Sequence, residues 1–119
     1  MEKFDLVIIG AHNGSGLEEL ILKQKKKVLL IEPVDYNFQS LKYKFKNINN
    51  IIFENVGISD ERNQIQFYYV KETSVKKLGK EWATGIGSFK KKHLLDHHRK
   101  RFQITEDDIG EKNITILVL

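Results

Sequence analysis

Apolar residues fall into short blocks along the chain, with polar punctuation between them. Phe4 to Ile9 is a short apolar run rich in β-branched residues and bounded by Gly10, which predicts a buried strand. Ser15 and Glu18 stand at the spacing of a capping box, and Leu17, Leu20 and Ile21 follow at helical spacing, predicting a helix from about Gly16 to Gln24. Lys27 to Ile31 reads as a second strand closed by Pro33. Asp35 then suits the cap of a second helix whose Phe38, Leu41 and Phe45 share one face, ending at the turn cluster Asn47 to Asn50.

Ile51 to Ile58 predicts a third strand, Ser59 to Asn63 a polar turn, and the aromatic run Ile65 to Val70 an extra strand. The pattern then weakens. Gly79, Gly85 and Gly87 interrupt Lys71 to Gly87, which reads as a loop with one helical turn; Phe89 to Phe102 reads as a charged helix and Ile114 to Leu119 as a last strand. The order βαβαβ with an extra strand implies an α/β fold with a parallel sheet and right-handed crossovers, its helices packed on the sheet faces.

Composition narrows the class. At 119 residues, with 40% hydrophobic and 30% charged content, the chain is expected to form one domain over 1–119. Its longest apolar stretches fall far short of the roughly 20 residues of a membrane-spanning helix, so no membrane partner is expected. The opening residues lack the pattern of a secretory signal, which gives a cytoplasmic expectation. Cysteine is absent, which excludes disulfides and thiolate metal sites. The net charge of +4 serves solubility as readily as any polyanionic partner.

The strongest chemical signal is the first strand-to-helix turn. Gly10, Gly14 and Gly16 permit positive φ and close backbone approach, and a helix start gathers free N–H groups in front of a polar or anionic ligand. The spacing G-x-x-x-G-x-G is neither the dinucleotide fingerprint nor the phosphate loop. Glu32 follows the second strand about 20 residues after the turn, where α/β nucleotide sites place a carboxylate on ribose hydroxyls. A carboxylate there accepts from a cis-diol and repels a 2′-phosphate, so it selects an unphosphorylated adenosine.

The segments VIIGAHNGSG, VLLIEPVDYNFQSLK and NIIFENVGISDERNQIQFYYV together resemble the FkbM family of S-adenosylmethionine-dependent methyltransferases. The Glu-Pro pair and the phrase NVGISD are the most specific parts, and GIGSFKKKHLLDHH is similar to a variable family loop. The resemblance implies a Rossmann-like class I methyltransferase fold with an incomplete parallel sheet, because it covers only the N-terminal part of the family's catalytic domain. It implies S-adenosylmethionine as cofactor and a hydroxyl of a small molecule or sugar as methyl acceptor. It places Gly10, Ala11, His12, Asn13 and Gly14 around the methionine moiety and Glu32 on the ribose diol. Pro33 and Val34 would border the adenine pocket, with Asn55 and Val56 near the adenine ring. The chain departs from the family at Ile8, where members carry an acidic residue, and it has no counterpart of the family's D-x-E-G phrase. An open sheet edge is the expected consequence, offering a place for a second copy or a complementing chain.

Other constellations read more simply. His93, Asp96 and His97 at i, i+3 and i+4 have metal-ligand spacing, but Lys90, Lys91, Lys92, Arg99, Lys100 and Arg101 flank them, and no metal is expected. The same basic stretch lacks interleaved aromatics and runs into Glu106, Asp107 and Asp108, so a nucleic-acid partner is not expected either. Ser88 and His93 lack a visible third partner for nucleophilic catalysis. Trp82 reads as a loop anchor.

Overall fold

The structure, a computed structural model, describes residues 3–59, 65–78, 81–96, 98–99 and 102–118. Strands β1 (Phe4–Ile9), β2 (Lys27–Ile31) and β3 (Ile51–Glu54) alternate with helices α1 (Glu18–Leu22) and α2 (Asp35–Lys44). The strands form a parallel sheet in the order β1-β2-β3, with Ile8 beside Leu30 and Leu30 beside Phe53. That register brings Leu6, Ile8, Val28, Leu30, Ile51 and Phe53 into one core with Ile21 of α1, Leu41 of α2 and Phe45 at the C-cap of α2. Each fully buried aliphatic side chain among them contributes about 1.5–3 kcal/mol.

Both helices thus serve a single set of strand positions. The alternate positions of β1 stay open: Val7 is 48% and Ile9 56% exposed. The apolar run therefore forms a half-buried strand, because β1 has β2 as its only strand partner among the described residues and is packed on one face.

Contacts divide the chain into two compact units, one of Met1–Arg62 with Ile116–Leu119 and one of Asn63–Thr115. The first unit also holds β4 (Gly57–Ser59), which pairs in parallel with β9 (Ile116–Val118). In the second, β5 (Ile65–Val70) pairs antiparallel with β8 (Ile109–Ile114). The extra strand predicted over 65–70 thus belongs to an antiparallel ribbon and not to the parallel sheet. Between them lie α3 (Glu72–Leu78), a 3-10 turn at Glu81–Gly85, α4 (Lys91–Leu95) and a short hairpin of β6 (His98–Arg99) with β7 (Phe102–Gln103). Val70, Ala83, Leu94, Ile104 and Ile109 make this unit's own core.

Several boundaries differ from the sequence reading for local reasons. Gly16, at φ +80, turns the chain between Ser15 and the helix, so α1 starts at Glu18 behind Leu17 and no side-chain cap forms. Val34, extended at ψ 119, precedes α2, and Asp35 sits inside its first turn, where its charge still complements the helix dipole. The strand predicted over 51–58 breaks at Asn55, whose side chain turns back to bond the main chain after β2. The helix predicted over 89–102 is confined to α4, with the hairpin taking its second half, and the loop predicted over 71–87 contains α3.

Candidate functional site

The C-terminal ends of the three parallel strands meet around Glu32. β1 ends at Ile9, and the next two amides, of Gly10 and Ala11, both donate to the Ile31 carbonyl at 2.9 and 3.0 Å. Gly10 stands at φ +74, and a Cβ built on it would meet nothing within 4 Å. The main chain is therefore bare and approachable at this point. His12 follows at φ 53, the one non-glycine residue with positive φ among the described residues. This left-handed conformation is uncommon outside glycine, with histidine among the residues that tolerate it better. Its N–H donates to Glu32 Oε1 at 2.8 Å, and its half-exposed ring places Nδ1 3.7 Å from the same oxygen.

The turn closes through Gly14 N–H to the Ala11 carbonyl at 3.1 Å and Ser15 N–H to Asn13 Oδ1 at 3.0 Å. Gly14, at φ +86, backs directly onto α2: a Cβ there would lie 2.8 Å from Phe45 Cε2 and 3.1 Å from Leu41 Cδ1. The two glycines do different work, Gly10 leaving space and Gly14 giving close packing.

Glu32 extends the ladder one residue past β2, donating its N–H to the Glu54 carbonyl at 3.1 Å. Pro33 then forces an extended exit. The side chain is only 2% exposed, so it is no solvated surface acid. Its Oε2 accepts from Val34 N–H at 2.9 Å, and the Asn37 side chain hydrogen-bonds it from the first turn of α2. Burial pushes the carboxyl above the usual carboxylate range; the Val34 and His12 N–H groups, the nearby His12 ring and the Asn37 amide oppose that shift without cancelling it. From β3, Asn55 Nδ2 donates to the carbonyls of Glu32 and Pro33 at 2.8 and 3.2 Å.

Of the residues singled out in the sequence, hydrogen bonds join Gly10, Ala11, His12, Glu32, Pro33, Val34 and Asn55 into one assembly. Ala11 and Val34 are buried, Val56 is buried beyond Asn55, and Asn13 is exposed at the crown of the turn. Asn37 escapes the sequence reading although a signal exists. It sits on the apolar stripe that Val34, Phe38 and Leu41 mark on α2, and a polar residue buried on such a stripe requires a polar partner.

No family model, curated protein or solved structure matches the chain. A carboxylate offers about four lone-pair positions, so the donors from His12, Val34 and Asn37 leave acceptor capacity for a hydroxyl. The bare backbone at Gly10 supplies space for a ligand beside it. These two features suit a polyhydroxylated group.

The second unit offers less. Ser88 pairs both its N–H and its carbonyl with Tyr68, and its Oγ accepts from Lys90 N–H at 3.1 Å, the work of a turn residue. Lys91 pairs with Glu106, which raises the lysine's pKa, and Lys92 pairs with Asp96, so acids partner part of the basic stretch. His97, Lys100 and Arg101 lie outside the described residues, as does the Trp82 side chain. Among the described residues no cluster of three histidine or acidic side chains gathers as for a metal, and no helix is long and apolar enough to cross a membrane.

Proposed function

We propose that the first unit binds the adenosine part of S-adenosylmethionine and that the protein is a methyltransferase of the FkbM type, acting on a hydroxyl of a small molecule or sugar. The observation that carries this reading is the buried Glu32 carboxylate at the end of β2, bonded to the glycine turn that follows β1. In open parallel α/β sheets, ligands occupy the crevice beyond the carboxyl ends of the strands, and a carboxylate there receives a ribose diol. The Rossmann-like class I fold implied by the FkbM resemblance has the same βαβαβ order as this unit's parallel sheet.

In this reading Glu32 accepts from a hydroxyl of the ribose diol, and Asn55 fixes the backbone on which Glu32 and Pro33 sit. Gly10 lets the ligand approach the main chain, while His12 and Asn13 supply the polar side chains of the turn toward the methionine moiety. The cofactor supplies a methyl on a sulfonium that leaves as a neutral thioether. Catalysis would then consist chiefly of holding the acceptor oxygen in line with that methyl, with a base taking up the hydroxyl proton as the oxygen gains the methyl.

Calorimetry with S-adenosylhomocysteine tests the reading: binding by the chain, lost in Glu32→Ala with its circular dichroism unchanged, is the expected result. A folded wild-type protein that binds nothing overturns it.

The open positions of β1 favour a second reading, a module that works through its sheet edge with a second copy or a complementing chain. Light scattering on the purified chain separates the two. Self-association that Val7→Lys abolishes supports the edge, and a monomer at all concentrations removes its homo-oligomeric form.

A further inference from the structure

Donors approach the Glu32 carboxylate from two elements. The glycine turn brings the His12 N–H to Oε1, with the His12 ring beside it, and the entry to α2 brings the Val34 N–H to Oε2. These N–H groups belong to the main chain and follow its path whatever side chains stand there. Asn37 differs. It is a side-chain donor from the first turn of α2, 3% exposed, on the stripe that otherwise carries Val34, Phe38 and Leu41 into the apolar interior. A leucine would suit that stripe by size and polarity, so helix packing does not explain an amide here; the carboxylate it bonds does.

We propose that Asn37 is a positioning residue of the nucleoside site, its amide holding the Glu32 carboxylate in place and in its acceptor form for a ribose hydroxyl. The inference rests on the nucleoside reading of this unit. A protonated carboxyl turns one of its oxygens into a donor and, with three donors already on the group, keeps no acceptor position for a ribose hydroxyl. Burial drives Glu32 toward that form, and a hydrogen bond donated to the carboxylate drives it back. Without the Asn37 amide, burial is less opposed, and Glu32 takes up its proton at higher pH.

The test is adenosine affinity from pH about 5 to about 9 for the wild-type chain, Asn37→Leu and Asn37→Ala, all checked for folding by thermal melting. Adenosine carries the diol and no group that titrates in that interval. The His12 ring also faces Glu32, and it is common to all three proteins. Wild-type affinity is expected to fall as pH drops through the Glu32 transition. In both variants the fall begins at higher pH, and above the transition their affinities return to within a few-fold of wild type. The two variants differ in volume and share only the lost donor, so a common shift follows the hydrogen bond. If only one of them folds, its midpoint alone decides. A uniform loss at every pH with an unchanged midpoint overturns the positioning role and leaves Asn37 a packing residue. No adenosine binding by folded wild type at any pH overturns the nucleoside reading itself, and the role of Asn37 with it.

Discussion

A carboxyl group sunk to 2% exposure at a strand end has consequences for stability that do not depend on any ligand. Burial raises the Glu32 pKa above its ordinary value despite the donors around it. Between the ordinary and the raised value, the unfolded chain has released this proton while the folded chain keeps it. The folded state then binds more protons, so this group's contribution to stability is full below the ordinary value and declines as pH rises through the window. Glu32→Gln cannot titrate. Its melting temperature is expected to carry a constant offset, because its amide NH2 confronts a backbone N–H that the carboxylate accepted, and to lack the decline that wild type shows above the ordinary carboxylate range. Parallel pH profiles of the two melting curves would contradict the buried titration. The position of Glu32 was legible in the sequence from its distance behind the glycine turn. Its depth was not, because burial depends on Val34, Asn37 and His12 closing over it, and no pattern within β2 encodes that closure.

At the level of elements, the glycine turn shows how one spacing can hide two physical roles. Gly10, Gly14 and Gly16 all have positive φ, from +74 to +86, as a turn between a strand and a helix requires. An added Cβ meets open space at Gly10 and Gly16 and, at Gly14, side-chain atoms of Leu41 and Lys44 on α2 and of Phe45 at its C-cap, all within 3.1 Å. Gly14→Ala is therefore expected to lose about 1–3 kcal/mol for overpacking beyond the roughly 1–2 kcal/mol that a left-handed alanine costs at any of the three. Gly10→Ala carries only the conformational part, yet it fills the space beside the main chain and is expected to lose S-adenosylhomocysteine. Thermal melts and calorimetry on the two variants give opposite rankings, Gly14→Ala worse in stability and Gly10→Ala worse in binding. A larger stability loss at Gly10 would contradict the packing assignment. The same section of chain shows why the capping box misled. Ser15 gives its N–H to Asn13 and is separated from α1 by a left-handed glycine, so the correct residues at the correct spacing are not at the helix start. Strand β8 was illegible for another reason: Ile109 and Ile114 are its only large apolar residues, and Gly110 in a strand pattern argues against one. Tyr69, opposite Gly110 in the register, lays its ring over the glycine and covers the gap that a missing side chain leaves.

Across the whole molecule, the chain leaves the first unit after β4 and re-enters it only at β9, with the second unit formed in between. The first unit therefore depends on two kinds of contact. Its β1-β2-β3 sheet closes through short βαβ segments, and its β4-β9 pair closes over the intervening second unit. Helical and strand periodicity made the first kind legible, since each crossover helix stands beside its strands in sequence. Pairing between Gly57–Ser59 and Ile116–Val118 had no such cue, because two three-residue strands specify no partner until the rest of the chain brings them together. The energetics follow the same division. Loop closure grows only slowly in entropic cost with length, so the long return is affordable, but β4 has a single strand partner among the described residues. Deleting residues 116–119 leaves the β1-β2-β3 core and its Val28, Leu30 and Leu41 packing in place while removing that partner. Amide exchange read by mass spectrometry is expected to accelerate at least about tenfold over Gly57–Ser59, as when a backbone loses roughly 1.4 kcal/mol of local protection. The β2 amides, held between two neighbouring strands, are expected to change far less. If protection collapses equally in β2 and β4, the unit opens as one cooperative body and the β9 return is part of its core; if neither changes, β4 is held by something other than its partner strand.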